Sequence, residues 1–166
     1  MLTEDLIKEK VNLESKIFVA YSGGPDSSAL LHLLARINDA QELNLYAIHI
    51  NHNLSKCSHI WENHCKQVCA KLKINLITES IEVVSEGGGI ESASRRARYK
   101  IFENILEDND QILLAHHSDD VAETIFMRML RGTGIEGIEG PKRERRLGSG
   151  KLIRPLLSIP KTEILS

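Results

Sequence analysis

Ile17-Phe18-Val19-Ala20-Tyr21-Ser22-Gly23-Gly24-Pro25-Asp26-Ser27-Ser28 is an apolar run that ends in a turn of small residues. Apolar positions then recur at Ala29, Leu30, Leu33 and Leu34. The change from an unbroken run to helical spacing predicts a strand, a tight loop and a helix. Gly23 and Gly24 have no Cβ, so the backbone there can take unusual torsions and come close to a ligand. Loop amides and the positive end of the helix converge on one point, which suits an anion such as a phosphate. Ser22, Ser27 and Ser28 add hydroxyl donors. Asp26 is a carboxylate beside that anion, an arrangement that calls for a cation between them, and Mg²⁺ is the natural choice. The plainer reading is a glycine turn with Asp26 or Ser27 as an ordinary helix cap.

Outward from this stretch, strands alternate with helices. Residues 3–13 have helical spacing at Leu6, Ile7, Val11 and Leu13, and strand one covers 16–21. The next helix runs to about Ile37, and a buried-type strand follows from Leu43 to Ile50, closing in His49-Ile50-Asn51-His52. A polar loop over 53–58 leads to a helix with Trp61, Cys65, Val68, Cys69 and Leu72 on one face. A third strand is expected over Asn75 to Ile81, then a break at Glu86-Gly87-Gly88-Gly89. Helix 91–107 turns Ala97, Ile101, Phe102, Ile105 and Leu106 inward, and Gln111 to Ala115 is a fourth strand. Val121 to Arg131 is helical. A loop punctuated by Gly132, Gly134, Gly137 and Gly140 carries the basic cluster Lys142, Arg143, Arg145 and Arg146. Lys151 to Leu157 is a fifth strand that Pro155 confines to an edge or cuts short. Pro160 opens a last helix.

This alternation implies right-handed crossovers and an α/β fold, a Rossmann-like parallel sheet with helices on both faces. Ligands of such sheets bind at the carboxyl ends of the strands. Ser22–Ser28, His49–His52 and His116–Asp120 occupy those ends, so the three stretches are expected to converge.

The chain has 166 residues, one domain's worth, with 42% hydrophobic but only 4% aromatic residues, so its core is mostly aliphatic. A net charge of −2 gives no global pull toward nucleic acid, and any such binding needs a local basic patch. Cys57, Cys65 and Cys69 form no CxxC pair and read as free thiols in a reducing compartment. No apolar run approaches the ~20 residues of a membrane span, and Met1 to Glu14 lacks a signal peptide's pattern. A cytoplasmic protein with no membrane partner is expected.

Two constellations carry further chemistry. His116-His117-Ser118-Asp119-Asp120-Val121-Ala122-Glu123 places acids at a helix start. Capping explains them equally well, but opposite a phosphate loop Asp120 can complete a Mg²⁺ site with Asp26. Arg95 and Arg98 share a helix face three residues apart. They are either a solvated face with a Glu91–Arg95 pair or a guanidinium clamp on phosphates, replacing the lysine the loop lacks. Lys142–Arg146 is a solvated loop or a phosphate-contacting patch. His49-x-x-His52 with Cys57 matches no usual zinc spacing.

Ser22-Gly23-Gly24-x-Asp26-Ser27 resembles the PP-loop of ATP pyrophosphatases, which cleave ATP between the α and β phosphates. It departs from a Walker A loop in having no lysine. Together with His49-x-Asn51-His52, Ala97-Arg98-Tyr99, His117-x-Asp119-Asp120-x-x-Glu123-Thr124, Arg131-Gly132-Thr133-Gly134 and Arg154-Pro155-Leu156-Leu157, the pattern is similar to the catalytic domain of the tRNA(Ile)-lysidine synthase family over about residues 16–157. The resemblance implies a ligase using ATP and Mg²⁺. Such a ligase adenylates O2 of the wobble cytidine in a tRNA(Ile) with a CAU anticodon. The ε-amine of free L-lysine then displaces AMP. On this pattern Ser22, Gly23, Gly24, Pro25, Asp26, Ser27 and Ser28 hold ATP, with His49 and Asn51 near the adenosine. Asp26 and Asp120 are metal-linked acids, and Arg95 and Arg98 stabilise phosphates or the intermediate. Asp119 or Glu123 meets the lysine ammonium. A homodimer is among the assemblies this allows. Residues 1–166 then form one PP-loop catalytic domain, expected to be truncated at its C-terminus because the family continues with an Asp-Asp-Ser-Asn segment and helical domains. The alternatives are another PP-loop enzyme, such as a tRNA thiolase or an amidotransferase-type synthetase, and a non-catalytic ATP-binding remnant.

Overall fold

A computed structural model of the chain describes residues 3–53, 58–81, 89–130, 132 and 139–164. The strands are β1 (Ile17–Ala20), β2 (Leu45–Asn51), β3 (Asn75–Ser80), β4 (Gln111–Leu113), β5 (Glu144–Leu147) and β6 (Gly150–Ile153). The helices are α1 (Glu4–Lys8), α2 (Pro25–Ala40), α3 (Ser58–Lys71), α4 (Gly89–Ile105), α5 (Ser118–Leu130) and α6 (Lys161–Ile164). The six strands form one sheet in the order β3-β2-β1-β4-β6-β5, parallel throughout except for the β5–β6 pair. This is the expected α/β architecture.

Alternation along the strands feeds two cores. Ile17, Val19 and Ala47 face α2 and α3 and pack with Leu30, Leu34, Cys65 and Cys69. Phe18, Ile48, Ile112 and Leu152 face the other way and pack with Phe102 of α4 and with Leu106 just beyond it. Both faces of β1, β2 and β4 are buried, hence their apolar runs. From β1 the chain proceeds outward through β2 and β3, then returns to place β4 on the opposite flank of β1, pairing Ile17 with Gln111 and Val19 with Leu113. The strand order therefore reverses between β1 and β4, and a crevice opens at their carboxyl ends.

Several boundaries differ from the sequence reading. The first helix stops at Lys8 instead of spanning 3–13. The last strand ends at Ile153, ahead of Pro155, and lies inside the sheet. The basic cluster is a strand as well as a loop: Arg145 and Arg146 lie on β5, whose three charged residues of four hid it from a hydrophobicity pattern. It forms the sheet edge, where charged side chains are well tolerated. Trp61 is 56% exposed, whereas Cys65 and Cys69 on the same helix are buried, because the first turn of α3 lies over the glycine loop beyond the sheet. The four exposed residues Phe126, Met127, Met129 and Leu130 make α5 apolar on its solvent side. No helix among the described residues is long and apolar enough to cross a membrane.

Gly150 has no room for a side chain, because an added Cβ would lie 2.5 Å from the carbonyl oxygen of Asp110. Gly150→Ala is expected to lower unfolding free energy by about 1–3 kcal/mol. Urea denaturation monitored by circular dichroism checks this.

Candidate functional site

The loop between β1 and α2 is fixed from within. Ser27 Oγ donates to the carbonyl of Gly24 at 3.0 Å and accepts from the amide of Ser22 at 3.3 Å. Ser22 Oγ lies 3.0 Å from Ser27 Oγ and accepts from the amide of Gly24 at 3.3 Å. The helix cap is Gly24, with Pro25 in the first turn and no side-chain capping bond. The reading of Asp26 or Ser27 as an ordinary cap is therefore corrected. Ser27 shapes the loop, and the first-turn amides of α2 keep their polarity for a ligand. Gly23 has φ +82, and a Cβ there would sit 3.0 Å from Cys65 Sγ and 3.6 Å from Trp61. Both torsion and space demand glycine.

Two tips of the parallel sheet are tied together beside this loop. His49 Nδ1 lies 2.9 Å from the carbonyl of Tyr21 and 3.4 Å from Cys65 Sγ. Asn51 donates to Glu62 of α3 at 3.1 Å. Both side chains thus turn to the α3 face. On the α4 face, Ser22, His52 and Arg98 line a cavity of about 260 Å³. Burial lowers the pKa of Arg98, and its Nε is buried with no hydrogen-bond partner. A half-buried guanidinium with a buried, unused donor is matched to an anion.

Across the crevice, β4 delivers the start of α5. Asp120 Oδ2 accepts from the amide of His117 at 2.8 Å, the reciprocal half of a capping box. Asp119 Oδ1 accepts from Ser118 Oγ and from the amide of Lys161. His117 stands between the two candidate metal acids, with Nε2 3.6 Å from Asp26 Oδ2 and Nδ1 3.5 Å from Asp120 Oδ2. Asp26, Asp120 and Glu123 all face one cavity of about 660 Å³. Lys161 of α6 reaches it too, with Nζ 3.9 Å from Asp26. A neighbouring cavity of about 500 Å³ shares Asp120 and Glu123 and adds Arg95 and His116.

The residues present fit a Mg²⁺ ion that arrives with a nucleotide. Asp26 Oδ1 is buried without a partner, and Mg²⁺ is usually held by one or two carboxylates plus phosphate oxygens and water. No group of three or more His, Cys, Asp or Glu among the described residues forms a preformed metal cage.

Arg95 does not pair with Glu91. It donates to the hydroxyl of Tyr99 instead, at 3.3 Å. Sequence reasoning gave no role to Arg154, which is buried. It donates to His116 Nδ1 at 2.9 Å, to Tyr99 Oη at 3.3 Å and to the carbonyl of Lys142 at 2.6 Å. Its only sequence signal was the Arg154-Pro155-Leu156-Leu157 run. Lys161 was also missed, because a cation so distant in sequence from Asp26 leaves no local signature. Cys57, Glu86-Gly87-Gly88, Arg131, Thr133, Gly134 and Gly137 lie outside the described residues.

The profile of the PP-loop domain family matches residues 2–166. The chain is 40% identical over 151 residues to the tRNA(Ile)-lysidine synthase of Coxiella burnetii, covering 90% of this chain and 34% of that protein. It is 44% identical over 147 residues to the enzyme of that name from Alkalilimnicola ehrlichii, covering 88% and 33%. The chain thus spans about a third of the length of the curated relatives it matches. Among solved structures, the U34-tRNA thiolase NcsA from Methanococcus maripaludis superposes with a TM-score of 0.74 at 21% identity, covering 98% of this chain and 59% of that one. At that identity the likeness is one of fold.

Burial first, and the nearby Arg154 second, push the His116 pKa down to about 4. The ring is neutral at pH 7 and accepts from Arg154. Its ring-proton NMR signal is expected to titrate near pH 4. Because the unfolded chain takes up this proton first, stability should fall as pH drops from the ordinary value of 6.5 toward 4. Arg154→Gln should move the midpoint upward. A midpoint near 6.5 in the unaltered chain would contradict this environment.

Proposed function

The chain belongs to the PP-loop domain family, and on that footing we propose that residues 1–166 are the ATP-binding catalytic domain of a lysidine-forming ligase. In this reading ATP activates O2 of the wobble cytidine of a tRNA(Ile) and free lysine then replaces that oxygen. The observation that carries the proposal is the crevice between β1 and β4. An uncapped helix start and Asp26 form one wall, and Asp120, Glu123 and Arg95 form the other. The 40–44% identity to lysidine synthases over this domain supports a tRNA cytidine as the acceptor.

The chain's residues divide the work. The amides at the start of α2, with Ser22 and Ser28, bind the phosphates of ATP. Ser27 holds the loop in shape. The adenosine lies in the cavity beside β2 near His49 and His52, and Asn51 braces that strand tip from the α3 face through Glu62. Mg²⁺, held by Asp26 and Asp120, would supply neutralisation of charge on the phosphates. Arg98 offers its unpartnered Nε to the nucleotide tail, and Arg95 faces the cavity where the cytidine enters.

Two bond exchanges follow. Cytidine O2 attacks the α phosphorus and pyrophosphate leaves. The lysine ε-amine then attacks C2, the C2–O2 bond breaks, and AMP departs with that oxygen. Neutral His116 lines this cavity without adding positive charge next to the incoming amine. Glu123 or Asp119, on the wall of the adjoining cavity, would hold the lysine ammonium and accept the proton it loses before attack.

A thiolating chemistry has less support. Burial pushes the Cys65 thiol up to about 12 and the Cys69 thiol up to about 11, so neither is a thiolate at neutral pH.

With ATP, Mg²⁺, lysine and a tRNA(Ile) transcript bearing cytidine at the wobble position, AMP should form only when all are present. Mass spectrometry of nuclease digests should show lysidine. An unmodified cytidine, or AMP release independent of lysine, overturns the reading. Asp26→Asn and Asp120→Asn remove one charge each, and the side-chain amide introduced by Asp120→Asn keeps an oxygen for the α5 cap. Each should slow pyrophosphate release by roughly 100-fold or more with an unchanged circular dichroism spectrum. Unaltered rates in both variants would remove the metal-acid assignment.

A further inference from the structure

Tyr99 of α4 is ringed by guanidiniums. The guanidinium carbons of Arg145 and Arg95 lie 4.9 and 5.2 Å from its ring centroid. Its hydroxyl accepts from Arg95 and from Arg154, each at 3.3 Å. Arg145 reaches the ring because it shares a face of β5 with Leu147, which is buried in one cluster with Phe102 of α4 and with Leu106. Arg146 is on the other face and donates to the carbonyl of Gly148.

Among the described residues this positive charge has no counter-charge in place: none of Arg95, Arg145 or Arg154 forms an ion pair with a carboxylate. Glu144, the neighbour of Arg145, is taken by Lys151 at 2.7 Å. Arg154 is only 3% exposed, and all its partners are neutral: an imidazole, a phenol and a carbonyl. Its three neutral hydrogen bonds offset part of the cost of burying the Arg154 guanidinium, and an anion would offset the rest. The space for one is a cavity of about 380 Å³ lined by Ser92, Arg95, Arg96, Tyr99, Arg145 and Arg154. Guanidinium forks match phosphate oxygens in pairs.

The cage adjoins the site described above. Arg95 lines both cavities, and Arg154 links Tyr99 to His116 on the reaction-cavity wall. We propose that Arg95, Arg145 and Arg154 about Tyr99 anchor a backbone phosphodiester of the RNA substrate, beside the nucleotide whose base enters the cavity lined by His116 and Asp120. This rests on the RNA reading given above. The anchor sets where the strand lies while the adjoining cavity selects the base.

The test uses a fluorescein-labelled anticodon stem-loop RNA and the whole chain, with anisotropy measured across a salt series. Arg145→Gln, an exposed position outside the reaction cavity, should raise the RNA Kd by roughly fivefold to tenfold and reduce the salt slope by about 0.7 to 0.9. Arg146→Gln, on the opposite face of the same strand, should change Kd by less than about twofold. ATP affinity by calorimetry should be unchanged in both. If the unaltered chain binds RNA and Arg145→Gln binds it equally well, or if the two variants weaken binding alike, the anchor is wrong while the RNA reading stands. A loss confined to ATP would assign the cage to the nucleotide tail and overturn the anchor. An unaltered chain that binds no RNA overturns the RNA reading and the anchor together.

Discussion

The close approach of α3 to the glycine loop is the constraint on which the site depends. Gly23, at φ +82, lies so close to Cys65 that an added Cβ would sit 3.0 Å from its sulfur. Cys65 in turn lies 3.4 Å from His49, which ties the tip of β2 to the carbonyl that ends β1. These contacts lock loop, strand tips and helix into one unit before any ligand arrives. The internal bonds of Ser22 and Ser27 complete it. Preorganised donors of this kind need no rearrangement when charge develops on a bound phosphate.

Charge is sorted along the crevice. Asp26, Asp119, Asp120 and Glu123 make one end acidic, relieved by Lys161. Arg95, Arg98, Arg145 and Arg154 make the other end basic, with Tyr99 at its centre. His116 marks the boundary, kept neutral by burial and by the guanidinium bonded to it. The overall charge of −2 conceals this division, because the two ends nearly cancel. Such a gradient separates places suited to cations from places suited to anions.

The sequence made the architecture legible because period and punctuation agreed. Apolar runs marked β1, β2 and β4, and the glycine pair marked the switch from strand to helix. The clustering of Ser22–Ser28 with His116–Asp120 followed from topology alone, since parallel strands bring their carboxyl ends to one side. What escaped was set by contacts between distant segments. β5 carries charge where a strand pattern expects apolar residues, and only the Gly148-Ser149 pair hinted at a hairpin. Of the two readings open for Arg95, the pair with Glu91 along its helix does not form, because Tyr99 supplied a competing partner. Arg154 is held by His116, Tyr99 and the backbone at Lys142 and Arg143, partners distant in sequence.

The strand order has a consequence for the newborn chain. β1 is made early, yet the sheet gives it β4 as one of its two neighbours, and Gln111–Leu113 are synthesised much later. Until they leave the ribosome, one edge of the most apolar strand has no partner, although β2 already shields the other. Such long-range parallel pairing is slow and exposes surface prone to self-association. The arrangement that opens the crevice between β1 and β4 therefore also leaves β1 half-paired until residues 111–113 have been made.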